Sequence, residues 1–175
     1  HSWTVWPYSD TEGWLHKIEG TVTQESAPVT LVTALLDIGR GQLDGPFARS
    51  FEDNDLPMFE RLLKTDLPMV IYRDPRYIDV VWRHRHPHNT RVIPTAADDL
   101  RAFPYFDQVQ HIRSKPEWAQ QTGWLSQSPQ AALEYYNPLV TSKMRWLAEQ
   151  AQQNPYQSDH LFWIDAGLCR TVGEH

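Results

Sequence analysis

Cys169 is the only cysteine in the chain. A single thiol excludes an intrachain disulfide framework and suits a reducing compartment. No apolar run approaches the roughly 18 residues that cross a bilayer as a helix, so no transmembrane segment is expected. Basic side chains are the minority, with 16 Lys and Arg against 22 Asp and Glu and a formal charge of −6. No basic face is evident to meet a phosphate backbone, so nucleic acid is not an expected partner. The eight glycines never form Gly-x-Gly-x-x-Gly, and "GRGQLDG" is not followed by Lys-Ser/Thr. Dinucleotide-fingerprint and P-loop readings are therefore poor. Internal repeats and low-complexity tracts are absent.

What is present describes a soluble globular domain: 175 residues, 41% apolar and 22% charged. That length suits one hydrophobic core. Eight Trp are consistent with ring stacking on sugars or nucleobases, and more readily with an ordinary core. The chain starts at His1, and "CRTVGEH" follows a strand with no closing element. We expect the fold to be incomplete at the C-terminus and a longer protein to continue.

Residues 1–28 form a Trp-rich stretch without a sustained period, expected to be an arm. The regular pattern begins at Val29. "VTLVTALLDIGRG" is an apolar, β-branched run that reaches Asp37 and breaks into glycines, the form of a buried strand feeding a loop. A helix is expected around Phe51, Met58, Phe59, Leu62 and Leu63, with Pro57 in its first turn. "LPMVIYRDP" reads as a second strand, and "PRYIDVVWRHRH" as a helix with Ile78, Val81 and Trp82 on one side. "NTRVIPT" reads as a third strand. From Pro138 to Gln152, Leu139, Val140, Met144, Leu147 and Ala151 keep a helical period. The strand His160–Ile164 then ends on Asp165. "FEDND" and "TAADDL" read as surface loops. Strands alternating with helices predict an α/β fold with a mainly parallel sheet flanked by helices.

In such sheets ligands bind beyond the carboxyl ends of the strands. Three strand ends carry acids there: Asp37 with Arg40 and glycines, Asp74 with Arg73, and Asp165 beside Ala166 and Gly167. Their union in one cleft is the expected site. Asp165 stands out, because an apolar strand delivers one carboxylate with only small residues beside it. A divalent cation, Mn or Mg, would take oxygen ligands there and bridge to a diphosphate. Glycosyltransferases of the GT-A type place Asp-x-Asp at the corresponding strand end. Here Asp-Ala-Gly supplies the first acid and lacks the second. The strip "WRHRHPHNTR" matches no common zinc spacing and reads as a basic surface suited to an acceptor's phosphates. Cys169 has no recognisable activating partner and reads as a small buried thiol.

"TLVTALLDIGRG", "LPMVIYRDP", "YYNPLVTSKMRWL" and "DHLFWIDAGLCR" together resemble the bacterial HtrL/YibB family, from about Val29 to Val172. Members are classed as glycosyltransferase-like, and their genes stand beside those for lipopolysaccharide core or other surface polysaccharides. The resemblance implies a GT-A-like, Rossmann-like domain over 29–175. It also implies a cytoplasmic protein, peripheral at the inner face of the membrane, with a nucleotide sugar as donor and a glycan or lipid-linked glycan as acceptor. Within that reading Asp37, Ile38, Gly39 and Arg40 would hold the nucleotide, and Asp74 would accept from base or ribose. Asn137, Ser142 and Lys143 would favour the diphosphate from the start of the long helix. Asp165 and Gly167 would complete the donor site, with Asp165 as metal ligand. The pattern assigns no catalytic base. A non-catalytic nucleotide-sugar-binding module and a metal-assisted phosphoester hydrolase using Asp37, Asp74 and Asp165 are the alternatives.

Overall fold

A computed structural model describes residues 27–121 and 123–168. The arm expected over 1–28 lies almost wholly outside these residues, as does Cys169. Four strands, β1 (Val29–Leu35), β2 (Met69–Arg73), β3 (Thr90–Pro94) and β4 (His160–Trp163), make one sheet in the order β3-β2-β1-β4. All three pairings are parallel, with Leu31 opposite Met69, Met69 opposite Thr90, and Val29 opposite His160. The helices are α1 (Leu56–Leu62), α2 (Ile78–Trp82), α3 (Phe106–Arg113), α4 (Pro116–Ala119), α5 (Pro129–Ala132) and α6 (Tyr136–Gln153). This is an α/β fold.

β2 is buried on both faces along its whole length. In β2 the alternation sends Met69 and Ile71 to one side, against Phe59, Leu62 and Leu63 around α1 and Val80 and Val81 of α2. Val70 and Tyr72 go to the other side, with Val32 and Trp146 of α6. A strand sandwiched between helices needs apolar side chains at both parities, which is why it reads as an unbroken run.

Several local expectations fail for identifiable reasons. "FEDND" is a π-helical turn over Phe51–Asp55, capped by Ser50, whose hydroxyl accepts from the Asp53 amide at 3.1 Å. "TAADDL" falls largely in the 3₁₀ turn Ala97–Ala102, where Leu100 is buried. Polar sequence hides such turns because one apolar anchor is enough to seat them. In α2 the packed residues are Val80 and Val81, whereas Trp82 is 40% exposed. The long helix is also rotated from its expected orientation. Pro138, Ser142, Trp146 and Gln150 are buried, whereas Met144 is 71% exposed. The Ser142 hydroxyl donates to the Pro138 carbonyl at 2.8 Å, and Gln150 Nε2 donates to Tyr72 Oη at 2.9 Å. The Ser142 hydroxyl and the Gln150 amide donor find partners, so the buried stripe of α6 need not be its most apolar one, although Gln150 Oε1 has no partner among the described residues.

Candidate functional site

The strand order places β1 between β2, reached by the first crossover, and β4, reached by the last. Chain direction across the sheet therefore reverses between β1 and β4. Beyond the carboxyl ends of these two strands the flanking loops diverge and leave a crevice, where open parallel sheets bind ligands. A cleft of about 450 Å³ lies there. Its walls are Ala34–Ile38 at and just beyond the end of β1, Trp163 and Asp165–Leu168 at and beyond the end of β4, Phe51 and Asp55 of the π-helical turn, and the first two turns of α6. π-Helical turns are frequent at functional sites.

Asp37, Arg40, Lys143, Asp165 and Gly167 all line this cleft. They come from three distant stretches of chain. Asp37 lies two residues past the end of β1 rather than on it, and its Oδ1 accepts from the Gly39 amide at 3.0 Å. Gly39 closes this turn at φ 82°, a conformation that L side chains rarely adopt. It shapes the loop without lining the cleft. At Gly167 an added methyl would meet only the Arg49 guanidinium, 3.8 Å away, so the protein's own packing does not require the missing side chain.

Lys143 Nζ donates to Asp165 Oδ1 at 2.6 Å, and the Trp163 indole N–H donates to the same oxygen at 2.7 Å. Partial burial works to raise the Asp165 pKa, but the Lys143 and Trp163 hydrogen bonds prevail and hold it below the usual carboxylate value. The Asp165 side chain is 59% exposed, so the ion pair contributes about 1 kcal/mol or less to stability. Its effect is to orient the groups. Asp55 behaves oppositely. Desolvation raises its pKa, Arg40 opposes this, and Asp37 reinforces it. Arg49 reaches Asp55 at 2.5 Å.

The expected union of three acids does not form. Asp74 is buried and does not line the cleft. Its Oδ1 caps the turn after β2 by accepting from the Arg76 amide at 2.9 Å, and the Arg76 guanidinium closes on both carboxylate oxygens. Asp-Pro after a strand is a turn former before it is a ligand site. Asn137 Nδ2 donates to the Gln130 carbonyl at 2.8 Å, and Ser142 faces the core, so of the three α6 candidates only Lys143 reaches the cleft. The Arg76 hydrogen bonds, against some desolvation, depress the pKa of Asp74. A depressed carboxylate stabilises the fold above its unfolded pKa of about 4, and this contribution is lost as pH falls through the folded value. Asp74→Asn should therefore flatten the fall in stability below about pH 4. Urea midpoints at pH 3 and pH 6 for both proteins check this; parallel acid profiles would contradict it.

The His and Arg strip lies between α2 and β3, at the amino edge of the sheet and away from the cleft. Arg85 is buried there instead of facing an acceptor. His86 and His88 stack at 5.7 Å, and no group of three His, Cys, Asp or Glu gathers anywhere among the described residues. The cleft carboxylates suit a divalent cation poorly. Asp165 Oδ1 already accepts twice, Asp37 Oδ1 accepts from an amide, and Asp55 is paired with Arg49. The metal-assisted hydrolase built on Asp37, Asp74 and Asp165 loses its ligand set.

Two features escaped sequence reasoning. Trp163 lines the cleft while stacked on Trp146 (6.2 Å, 21°), which is itself stacked on Tyr72 (4.5 Å, 16°). Alternation along β4 already placed Trp163 on the parity opposite Phe162, the available signal. Arg73 is fully buried among the rings of Phe51, Phe59 and Tyr77, each 5.0–5.2 Å from its guanidinium carbon. Its Nη1 holds the Leu35 carbonyl at 2.8 Å, just before the loop that carries Asp37. Desolvation brings its pKa down to about 10.

The model of the HtrL/YibB family, described as a bacterial protein of unknown function, matches residues 27–175. The chain belongs to the HtrL/YibB family. No curated protein and no solved structure matches it. The HtrL/YibB match includes all four strands and every residue of the cleft named above. Among the described residues no helix is long and apolar enough to cross a membrane.

Proposed function

We propose that this HtrL/YibB protein is a glycosyltransferase that takes its sugar from a nucleotide-sugar donor, with a lipopolysaccharide core or other cell-surface glycan as acceptor. On this reading the sheet is the nucleotide-binding core of a GT-A-like domain, working at the cytoplasmic side of the membrane. One observation carries the proposal. Asp37, Arg40, Lys143, Asp165 and Gly167, drawn from three separate segments, meet in one cleft beyond β1 and β4, where the crossover direction reverses. Its volume of about 450 Å³ suits a small ligand.

Transfer breaks the bond between the sugar's anomeric carbon and a diphosphate oxygen and makes one to an acceptor hydroxyl, whose proton goes to a base. The leaving diphosphate gains charge, so donors fixed where that charge develops lower the barrier. Lys143 and Arg40, which line the cleft, would act there on this reading, and the Trp163 ring would offer an apolar surface for a planar or sugar ring. A thermal-shift screen against nucleotide sugars tests the reading, followed by calorimetry with the best ligand. Lys143→Ala should weaken donor binding by about 1.5–3 kcal/mol, the range for hydrogen bonds to charged groups. Equal affinity of the two proteins would remove Lys143 from the site.

The double engagement of Asp165 by Lys143 and Trp163 favours a second reading, a module that binds the nucleotide sugar without turning it over. Tight donor binding with no sugar released or transferred in the presence of glycan acceptors would select it.

A further inference from the structure

Hydrogen-bond accounting in the cleft is lopsided. Each of its three carboxylates already has a donor: the Gly39 amide for Asp37, Arg49 for Asp55, and Lys143 with Trp163 for Asp165. The unmatched buried side-chain atoms of the cleft residues are donors, Arg40 Nε and Arg49 Nε. Behind the cleft floor, Arg73 Nε and Nη2 are likewise buried without acceptors among the described residues. Buried polar groups are normally paired, so a surplus of one kind points to the complementary kind in whatever completes the site. What the cleft residues call for is thus acceptor oxygen, which an anion supplies and a cation does not. The resident cation is already present. Lys143 Nζ rests against Asp165 and 5.9 Å from the centre of the Trp163 ring, with its side chain 27% exposed at the cleft wall.

We infer that the cleft is a metal-independent diphosphate site, in which Lys143 and Arg40 supply the positive charge and Asp165 is a positioning residue that holds Lys143 in place. The nature of the ligand rests on the nucleotide-sugar reading above; the independence from metal rests on the donor surplus alone. Asp165 is ionised and largely solvated, so it fixes the ammonium cheaply and can release it to phosphate oxygens, which pair more strongly than an exposed carboxylate.

Calorimetry on the whole chain tests this, with inorganic pyrophosphate and with the diphosphates of uridine, guanosine, cytidine and adenosine as probes. Each is titrated in EDTA and in excess manganese, and the circular dichroism of every variant is compared with wild type. Affinity in EDTA should lie within about twofold of that in manganese, since no cation is being held by an all-protein cage. Lys143→Ala and Arg40→Ala should each weaken binding about tenfold or more, and Lys143→Arg should restore most of the loss. Asp165→Asn should weaken binding severalfold in EDTA and in manganese alike, because the lysine is less well held while a like charge beside the anion is also lost. Lys143→Ala should cost less on that background than on wild type. Binding that needs manganese, or that Asp165→Asn abolishes, overturns the inference and leaves the nucleotide-sugar reading standing. Pyrophosphate bound in EDTA with no gain from any nucleoside supports the inference and overturns the nucleotide reading. No binding by any probe overturns both.

Discussion

Arg85→Ala is expected to cost about 2–4 kcal/mol of unfolding free energy, because one charged donor is removed from several acceptors at once. Arg85 is 4% exposed and gathers the loops at the amino edge of the sheet. Its Nε donates to Thr90 Oγ1 at 2.8 Å, and its Nη2 donates to the carbonyls of Leu67 at 2.6 Å and Asn89 at 3.2 Å. Its Nη1 donates to the Thr65 carbonyl and, at 3.5 Å, to that of Leu63. The alanine would leave these acceptors without their donor, two of the five bonds being fully buried, in a domain whose total stability is of the order of 5–15 kcal/mol. Lysine should not rescue the loss. Its single ammonium cannot serve acceptors that a planar guanidinium reaches from three nitrogens. Urea unfolding followed by circular dichroism checks both variants. A loss below about 1 kcal/mol for Arg85→Ala would show that the loop carbonyls find water, and that the clamp is not structural.

Phe59→Ala is expected to be comparably severe, about 3–5 kcal/mol, because the site cannot collapse to fill the space. Phe59 is fully buried in the cluster that joins α1 and α2 to β2, together with Leu63 and Ile71. Its ring also lies 5.1 Å from the Arg73 guanidinium carbon. Losing one wall of that aromatic cage exposes a guanidinium already short of acceptors, and it loosens the group that holds the Leu35 carbonyl before Asp37. Phe59→Leu keeps most of the volume and should lose about 1.5 kcal/mol or less. Thermal and urea unfolding of the pair separates cavity from volume; equal losses for the two variants would contradict the packing account.

Much of the sheet was legible because parallel strands covered on both faces are mostly apolar or β-branched at both parities. "VTLVTAL" and "MVIYR" could hardly be anything else once flanked by turn residues. Family membership was legible for a similar reason, since several unusual strand-end motifs recur together over most of the chain. The candidate site was half legible. A carboxylate just beyond a buried strand can be seen in the sequence for Asp37, Asp74 and Asp165 alike. Nothing local says that Arg76 closes on Asp74, two residues away, while Asp165 turns toward a lysine from another element.

The sequence by itself determined the periodicity-encoded features: four apolar strands, helices between them, and acids and glycines at the strand ends. These follow from local backbone geometry and from side-chain alternation, which need no knowledge of neighbours. Only the tertiary structure decided the rest. Strand order placed the ends of β1 and β4 side by side, and packing rolled α6 so that Ser142 faced the core while Lys143 met Asp165. The same packing drew Arg85 inward from a strip that reads as surface. A polar side chain's place depends on whether partners from distant segments can satisfy it, and that distance is invisible in one dimension.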